Sequence, residues 1–568
     1  MIDNRKINGI HFTPNNLSEF LGQRIIDNFD LSNKQNLTIL DPACGEGELL
    51  ISISKIIDNS INCKFIGYDI DQNHISATKQ RFQSIQNSKF EIYQQDFLEI
   101  DITNNSFDLF SSTAKQETEL ADVIIANPPY VRTQVIGAEK AKFYSKKYNI
   151  KGRIDLYFPF LISMTNNLKT GGILGVLTSN KYLFTKSGES IRKYLIENYE
   201  IIEIIDLGDT KFFEAAVLPA IFIGRKKSKN SKNQNENTKF TKIYEYNPNG
   251  HKPEIANSII EILNKQVDGV YKVNDKLYKQ TVGKLIFAKE KSAVWSMCNT
   301  SENDWVKAIN KNSSSKVCDH VKVKIGVKTT ADNVFIRDDW HLLNIEKQPE
   351  KELLKPLISQ DNITKWERID TTKLKILYPY LIQNGKKTLI DIEKYPNSLN
   401  YFNDFKEQLQ SRKYLIDAGR EWFEIWVAQN PIYWQKPKIV FPDISLYPRF
   451  YLDFSGSIVN GNCYWIITEN ENIDLLYLIQ GVANSKLMTK YHDLCFNNKL
   501  YSGRRRYFSQ YVEKYPLPEK NSIYAQKIIQ TVKELNQNTE KEKINELETI
   551  LEIAVANAFN VEPVLNLD

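Results

Sequence analysis

Short apolar runs alternate with amphipathic stretches over the first 225 residues of the chain. Seven of these runs have the length and composition of buried strands, and they occupy residues 37–40, 64–68, 90–93, 122–126, 173–177, 201–205 and 218–223. Between them lie segments with apolar residues at helical spacing, such as Leu49, Leu50, Ile53, Ile56 and Ile57. This alternation predicts an α/β domain with a mostly parallel sheet.

The pattern changes after residue 225. Residues 226–239 (KKSKNSKNQNENTK) carry no apolar side chain and predict an exposed, flexible loop, either a linker or a surface loop after the last strand. From about residue 250 to 520, irregular strands, aromatic clusters and proline-containing turns predict an α+β domain. Two helical segments follow, the second with an apolar stripe. We therefore expect a first domain at 1–245, a second at 246–520 and a helical segment at 521–568.

The composition argues against a membrane or secreted protein but leaves nucleic-acid binding open. The 568 residues include no run of 18 apolar residues and have a mean hydropathy of −0.42, so we expect no transmembrane segment. The N-terminus has no apolar signal region, and the six cysteines form no C-x-x-C pair, so we expect a cytoplasmic protein without a metal site. A net charge of +5 does not by itself indicate nucleic acid.

A glycine-containing turn follows the first strand. Residues 41–48 (DPACGEGE) lead into a helix, and Gly45 and Gly47 let the backbone approach a ligand closely. The turn has no Walker lysine, and Asp41 would repel a pyrophosphate but suit an ammonium group, which points to S-adenosylmethionine (SAM). Asp69 ends the next strand, where a carboxylate accepts hydrogen bonds from ribose hydroxyls. A tight turn with one capping acid is the simpler alternative.

The fourth predicted strand runs into the tetrad 127–130 (NPPY). Two prolines stop the strand and fix the backbone. The side-chain oxygen of Asn127 and the carbonyl oxygen of Pro128 would then be two fixed acceptors for one exocyclic amino group, with Tyr130 offering a flat face to a planar base. The alternative is an ordinary turn with a tyrosine in the core.

Residues 41–47 and 127–130 together resemble the γ-class (TaqI-like) N6-adenine DNA methyltransferases, and residues 9–14 (GIHFTP) match the GxxxTP segment of that family. The resemblance implies a Rossmann-like SAM-dependent methyltransferase domain with a mostly parallel seven-stranded sheet, followed by an α+β target recognition domain and C-terminal helices. It also implies a reaction in which SAM methylates an adenine rotated out of duplex DNA.

Site residues follow from the same resemblance. The implied cofactor-binding residues are Thr13, Asp41, Ala43, Gly45, Gly47, Asp69, Asp96 and Phe97. The implied catalytic residues are Asn127, Pro128, Pro129 and Tyr130. Phe212 or Phe213 would sandwich the flipped adenine, and the spacing to Val217 favours Phe212.

Residues that contact DNA are harder to find in the sequence. Interleaved basic and aromatic residues suggest Arg504, Arg505, Arg506 and Trp434, and a segment similar to one in the family's recognition domains adds Thr329. For each arginine, a solvated basic turn is an equal alternative. The expected partner is double-stranded DNA. Both a separately encoded restriction endonuclease and a solitary enzyme agree with the sequence.

Two other functions share parts of this pattern. Protein-glutamine methyltransferases also use N-P-P-Y, but they are small and leave about 300 residues here unexplained. A catalytically silent DNA-binding homologue is disfavoured because the motifs are intact. Only eight residues precede the 9–14 segment, so we expect no nuclease fused before it.

Overall fold

A computed structural model describes most of the chain in two compact units, Met1–Asn303 and Asp304–Asp568. The residues outside the description are 1–12, 33, 84, 86–87, 101–119, 131–136, 151–154, 214–217, 229–234, 236, 247–251, 288–289, 370–372, 469–471, 497–502 and 565–568. Residues 9–12 of the GxxxTP match therefore lie outside the described residues. Among the helices that are described, none has both the length and the apolar character needed to cross a membrane.

The first unit is built on one large sheet. Its strands are β1 (Asn36–Asp41), β2 (Asn62–Asp69), β3 (Ser88–Gln94), β4 (Ala121–Ala126), β5 (Leu168–Ser179), β6 (Tyr199–Asp206), β7 (Pro219–Lys226), β8 (Lys239–Glu245), β9 (Glu254–Ile255), β10 (Gly269–Val273) and β11 (Lys276–Lys284). They lie in the order β3-β2-β1-β4-β5-β7-β6-β8-β11-β10-β9. Strands β3, β2, β1, β4 and β5 pair in parallel, whereas β7 is antiparallel to both of its neighbours.

Helices cover both faces of this sheet. They are α1 (Asn15–Asp27), α2 (Glu48–Ser54), α3 (Gln72–Phe82), α4 (Ala138–Lys147), α5 (Tyr157–Asn167), α6 (Lys181–Phe184), α7 (Glu189–Asn198) and α8 (Ile259–Lys265). The next helix, α9 (Thr300–Lys311), contains the division between the units. Successive side chains of β1 face opposite sides: Ile39 packs in one apolar core with α1–α3 and α8, and Leu40 in the other with α4–α7. Burial on both faces explains the continuous apolar runs in the sequence.

The sheet agrees with the sequence analysis and extends it. All seven predicted strands are present as β1–β7, and the unit has the predicted α/β fold with a mostly parallel arrangement of these strands. Four further strands lengthen the sheet, because β8 pairs in parallel with β6 and β11 pairs with β8. Residues 226–239 therefore connect two strands of one sheet. The first unit accordingly continues to Asn303, beyond the expected boundary at residue 245.

The second unit is α+β. Its strands are β12 (Ser315–Lys316), β13 (Val323–Ile325), β14 (Ile336–Arg337), β15 (Leu354–Ile358), β16 (Lys375–Leu377), β17 (Tyr380–Gln383), β18 (Lys386–Leu389), β19 (Lys438–Pro442), β20 (Ile444–Ser445), β21 (Tyr451–Asp453), β22 (Ile458–Val459), β23 (Cys463–Ile466), β24 (Arg505–Arg506) and β25 (Pro516–Leu517). They form two four-stranded sheets, β13-β23-β19-β21 and β14-β16-β15-β22, and three two-stranded ones.

Helices complete the second unit. They are α10 (Val317–His320), α11 (Asp332–Phe335), α12 (Pro396–Asn403), α13 (Lys406–Gln410), α14 (Lys413–Ile416), α15 (Ile473–Asn484), α16 (Lys486–Phe496), α17 (Ser509–Val512), α18 (Ile523–Leu535) and α19 (Lys541–Ala558). The apolar stripe of α19, including Leu547 and Leu551, is buried in one core with α15, α16 and α18. The C-terminal helices thus belong to the second unit and share its core.

Candidate active site

The turn after β1 is held in a tight conformation. Gly47 begins helix α2 with φ at +81°, a left-handed backbone that disfavours other residues. A Cβ at this position would also lie 2.8 Å from Thr78 Cγ2. Thr78 braces the turn from α3, because its hydroxyl donates to the Gly45 carbonyl oxygen at 2.7 Å. The sequence of the turn therefore fixes the backbone path at the carboxyl edge of the sheet.

Asp41, the last residue of β1, is fully buried. Its Oδ1 accepts a hydrogen bond from the Ala43 amide at 3.0 Å, whereas its Oδ2 has no hydrogen-bond partner among the residues that the structure describes. Burial raises the pKa of the Asp41 carboxyl to about 8, and the nearby negative charge of Asp69 raises it further. A buried acceptor without a partner is costly unless a ligand supplies a donor.

Asp69 joins the end of β2 to the glycine turn. Its carboxylate accepts hydrogen bonds from the Gly45 amide at 3.0 Å and the Asp71 amide at 2.8 Å. His74 Nδ1, on α3, lies 3.3 Å from Asp69 Oδ1. The carboxylate is thus fixed in place, and its oxygens keep lone pairs for further donors.

Asp96 and Phe97 lie just after β3. Asp96 Oδ1 accepts a hydrogen bond from the Leu98 amide at 2.9 Å and so caps a short 3₁₀ turn, Phe97–Glu99. The Phe97 ring is stacked on Phe160 of α5, with ring centres 6.2 Å apart and planes 15° from parallel. This packing gives the region after β3 a fixed aromatic wall.

The tetrad follows β4 directly. Asn127 Nδ2 donates to Thr13 Oγ1 at 3.0 Å, and Asn127 Oδ1 accepts from the Tyr130 hydroxyl at 2.8 Å. Both ends of the amide are therefore oriented by hydrogen bonds within the protein. Thr13, expected at the cofactor, contacts the tetrad directly. Burial raises the pKa of the Tyr130 hydroxyl, which keeps it a donor.

One cavity of about 700 Å³ joins the glycine turn to the tetrad. It is lined by Thr13, Asp41, Pro42, Ala43, Cys44, Gly45, Glu46, Glu48, Leu49, Asp69, Ile70, Asp71, Gln72, His74, Gln95, Asp96, Phe97, Leu98, Asn127, Pro128, Pro129, Tyr130, Lys140, Tyr144, Leu156 and Phe160. Of the residues expected to bind cofactor or to act in catalysis, only Gly47 is missing from this lining, and it serves instead as the start of α2.

The cavity is acidic. Six of its lining side chains carry carboxyl groups, whereas the lining residues that the structure describes include one lysine, Lys140, and no arginine. Such a site favours a cationic ligand and disfavours phosphates. His74, Lys140 and Tyr144 were not found by sequence reasoning, because they lie on α3 and α4 and belong to no recognisable motif.

The two phenylalanine candidates lie near the tetrad but do not line this cavity. Phe213 is buried and packs edge-on against the Tyr130 ring, with centres 6.4 Å apart. Phe212 is only partly buried in the core. Phe213 thus packs against the Tyr130 ring, whereas the Phe212 side chain is more exposed than that of Phe213.

Most of the side chains expected to contact DNA in the second unit are buried and interact with other residues of the protein. Thr329 is buried and its hydroxyl bonds to Asp332. Trp434 is buried, edge-on against Tyr378. Arg505 is 6% exposed and forms a bidentate ion pair with Asp493, both contacts 2.7 Å. These three positions therefore serve the fold, in contrast to the expectation that they contact DNA.

The other two arginines differ from Arg505. Arg504 is exposed. Arg506 is partly exposed, and its Nε lies 3.7 Å from a carboxylate oxygen of Asp443. Of the three adjacent arginines, Arg504 therefore has the geometry most suited to a phosphate contact.

Comparison with known proteins agrees with both parts of this structure. Residues 51–213 match the family model of the Eco57I restriction-modification methylase, and residues 382–517 match that of the TaqI-like C-terminal specificity domain. The chain is 43% identical to the type II methyltransferase M.BanIII of Aneurinibacillus aneurinilyticus, over 99% of this chain and 98% of the relative. It is 25% identical to M.BstVI of Geobacillus stearothermophilus, over 86% of each.

A solved structure supports the fold. A nuclease-deletion mutant of the type ISP restriction-modification enzyme LlaGI, in complex with a DNA substrate mimic, superposes with a TM-score of 0.50 at 12% identity. The match covers 93% of this chain and 47% of that one.

Together, the matched family models and the relatives define a DNA methyltransferase of the restriction-modification type. The chain belongs to the family of type II methyltransferases that includes M.BanIII. This membership favours DNA as the substrate over the protein-glutamine alternative.

Proposed function

We propose that the protein transfers a methyl group from SAM to the N6 amino group of an adenine rotated out of duplex DNA. The observation that carries this proposal is the single cavity whose lining includes both Asp41 and Asn127. A cofactor site and an amine-binding site that share one cavity can bring the two reacting groups together.

The cofactor end of the cavity suits SAM. Asp41 Oδ2 is buried without a partner and would accept a hydrogen bond from the ammonium group. Asp69 would accept from the ribose hydroxyls, and Asp96 with Phe97 would hold the adenine ring. The carboxyl groups of the lining complement the positive charges of the ammonium and sulfonium groups.

The tetrad end suits an amino group on a flat base. Asn127 Oδ1 accepts a hydrogen bond from the Tyr130 hydroxyl, and in the complex with the base it would accept one from the N6 amine. The Pro128 carbonyl oxygen would accept the second N–H. Two acceptors on one amine draw its lone pair out of conjugation with the ring. Tyr130, held by Phe213, would stack on one face of the base, and we assign the other face to Phe212.

When bound, SAM supplies a methyl group on a positively charged sulfur. The Asn127 side chain and the Pro128 carbonyl oxygen would hold N6 so that its lone pair could accept this methyl group, and the sulfur would keep the electron pair of the broken bond. The N6 proton then leaves to solvent. The protein contributes mainly by positioning the two reactants, so no nucleophilic side chain is needed.

The experiment is expression of the chain in a methylation-free host, followed by modified-base sequencing and nucleoside mass spectrometry. We expect N6-methyladenine at one short sequence. Asn127→Ala should lower transfer by at least about 10³-fold while SAM affinity, measured by calorimetry, stays within about twofold. Methyl groups on cytosine, or an Asn127→Ala variant as active as the natural chain, would refute the proposal.

Other expectations continue as proposals on the same basis. We propose that catalysis resides in the first unit, which contains residues 1–245, and DNA recognition in the second unit, which contains most of residues 246–520. Double-stranded DNA is the proposed partner, and a cognate restriction endonuclease is proposed as a separate protein, since the relatives are type II methyltransferases. The proposed location is the cytoplasm, where that DNA lies.

A further inference from the structure

The second unit displays two adjacent apolar side chains at the tip of a loop. Residues 446–450 connect β20 to β21. Within this loop, Leu446 is 42% exposed and Tyr447 is 59% exposed. Exposed leucine and tyrosine side by side, followed by Pro448, are unusual for a loop that only joins two strands, and such groups often mark a binding surface.

Hydrogen bonds from two arginine side chains hold the loop in one conformation. Arg505 Nη1 donates to the Leu446 carbonyl oxygen at 2.7 Å, while the rest of its guanidinium binds Asp493. On the other side, Arg449 Nε donates to Ser445 Oγ at 3.0 Å and Arg449 Nη1 to the Gln360 carbonyl oxygen at 2.8 Å. The tip therefore loses little conformational entropy on binding a partner.

A cation lies beside the tip. Gly503 borders Leu446, since a Cβ added to Gly503 would be 3.7 Å from Leu446 Cδ1. The next residue, Arg504, is exposed. Two carboxylates lie nearby: Asp443 faces Arg506, and Asp493 faces Arg505. Among the described residues Arg504 enters no ion pair, so the positive charge at the tip is uncompensated.

We propose that Leu446, Tyr447 and Arg504 form a contact surface for duplex DNA. Arg504 would neutralise a phosphate, and the rigid apolar tip would lie against base edges in a groove, where leucine and tyrosine contact bases without a charge. Both segments fall within the range that matches the TaqI-like C-terminal specificity domain. The inference depends on the protein being a DNA methyltransferase, but not on which base it methylates.

The test uses the full-length chain, plasmid DNA and labelled SAM. The double variant Leu446→Ala/Tyr447→Ala should raise KM for plasmid at least about tenfold, with kcat within about twofold, because the loop would no longer contact base edges. Arg504→Ala should weaken binding to duplexes of any sequence and reduce the slope of log affinity against log salt by about one.

Two control variants remove an exposed leucine and an exposed tyrosine elsewhere in the same unit. Leu342 is 73% exposed and Tyr524 is 43% exposed, so Leu342→Ala and Tyr524→Ala should leave KM and the salt slope unchanged. Thermal unfolding midpoints check that every variant is folded. If an alanine variant is not folded, the variants Tyr447→Ser and Arg504→Gln repeat the test. The inference would be overturned if the tip variants had the same KM and the same salt slope as the unchanged chain. It would be overturned in the same way if these variants kept both values but lost binding to a protein. A methylated cytosine would instead overturn the proposed function and leave this measurement valid.

Discussion

The two units differ in how well their motifs locate a binding site. In the first unit, parallel strands β3, β2, β1 and β4 are neighbours, so the segments after them meet at one edge of the sheet. Residues from all four segments line one cavity. The second unit has several small sheets without a common edge, and Thr329, Trp434 and Arg505 are buried there. Position relative to a parallel strand is therefore a better guide to a site than local composition.

Two buried carboxyl groups, one in each unit, also differ in whether they lie at a binding site. Asp41 in the first unit and Glu552 in the second each have one oxygen without a hydrogen-bond partner, and burial raises the pKa of both, to about 8 and about 7. Asp41 lines the cavity. Glu552, on α19, accepts from the Lys486 amide at the start of α16. Desolvation alone does not identify a site, since access to a ligand separates the two groups.

The largest effect on stability that we expect comes from the arginines of the second unit. Arg505→Ala leaves Asp493 without its buried partner, so the free energy of unfolding should fall by about 3 kcal/mol. Arg504→Ala should change it by less than about 0.5 kcal/mol, since Arg504 is exposed. Urea denaturation followed by circular dichroism measures both. Equal stability of the two variants would show that the ion pair does not support the fold.

The next prediction concerns Asp41. Asp41→Asn keeps the shape of the side chain and its bond to the Ala43 amide but removes the charge. We expect SAM affinity, measured by calorimetry, to fall by about 10- to 100-fold, the value of a charge-assisted hydrogen bond. Asp71→Asn is the matched control, because Asp71 also lines the cavity. Similar affinities in all three proteins would remove Asp41 from the cofactor site.

The raised pKa of Asp41 gives this prediction a pH dependence. The ligand-free folded protein holds this proton more tightly than the unfolded chain, whose carboxyl keeps a pKa near 3.8. The stability that it contributes is therefore present below about pH 4 and is lost as the pH rises through about 8. SAM affinity should rise over the upper part of that range, because the ammonium group prefers the ionised carboxylate. In Asp41→Asn that rise should disappear.

A smaller effect is expected from Thr13, which we propose as a positioning residue. Thr13→Val removes the acceptor that orients Asn127 Nδ2, so kcat should fall about tenfold, the value of one hydrogen bond. Thr13→Ser should restore kcat, because it restores the hydroxyl. KM for SAM distinguishes this role from cofactor binding and should change by less than about threefold. A rise in KM with unchanged kcat would return Thr13 to the cofactor site.

The fold of the first unit and most of its cavity lining could be predicted from the sequence. Residues 41–48 and 127–130 follow apolar runs that become β1 and β4, and the neighbouring positions of these strands bring Asp41 and Asn127 to one cavity. The four additional strands could not be predicted, because β8–β11 extend the edge of the sheet beyond the βα alternation. Their burial depends on pairing between distant segments.

The interactions of single side chains were less predictable. Nothing in three adjacent arginines shows which one turns inward, because that depends on Asp493, which lies on α16. The bond between Thr13 and Asn127 likewise joins residues far apart in the chain. Sequence patterns identify segments, whereas tertiary contacts decide the role of each residue in them.

The smallest effect that we expect comes from Glu552. Its pKa is about 7 in the folded protein against about 4.5 in the unfolded chain, so ionisation at higher pH costs stability. Glu552→Gln removes that cost and keeps an acceptor for the Lys486 amide, but it buries an amide N–H₂ without a partner. The net gain should therefore be about 1 kcal/mol at pH 8 and should become a net loss of about 1 kcal/mol near pH 5, where little of the ionisation cost remains. Urea denaturation at both pH values measures it. Because Glu552 lies in a core and not at a ligand site, SAM affinity and methyl transfer should stay unchanged, in contrast to Asp41→Asn.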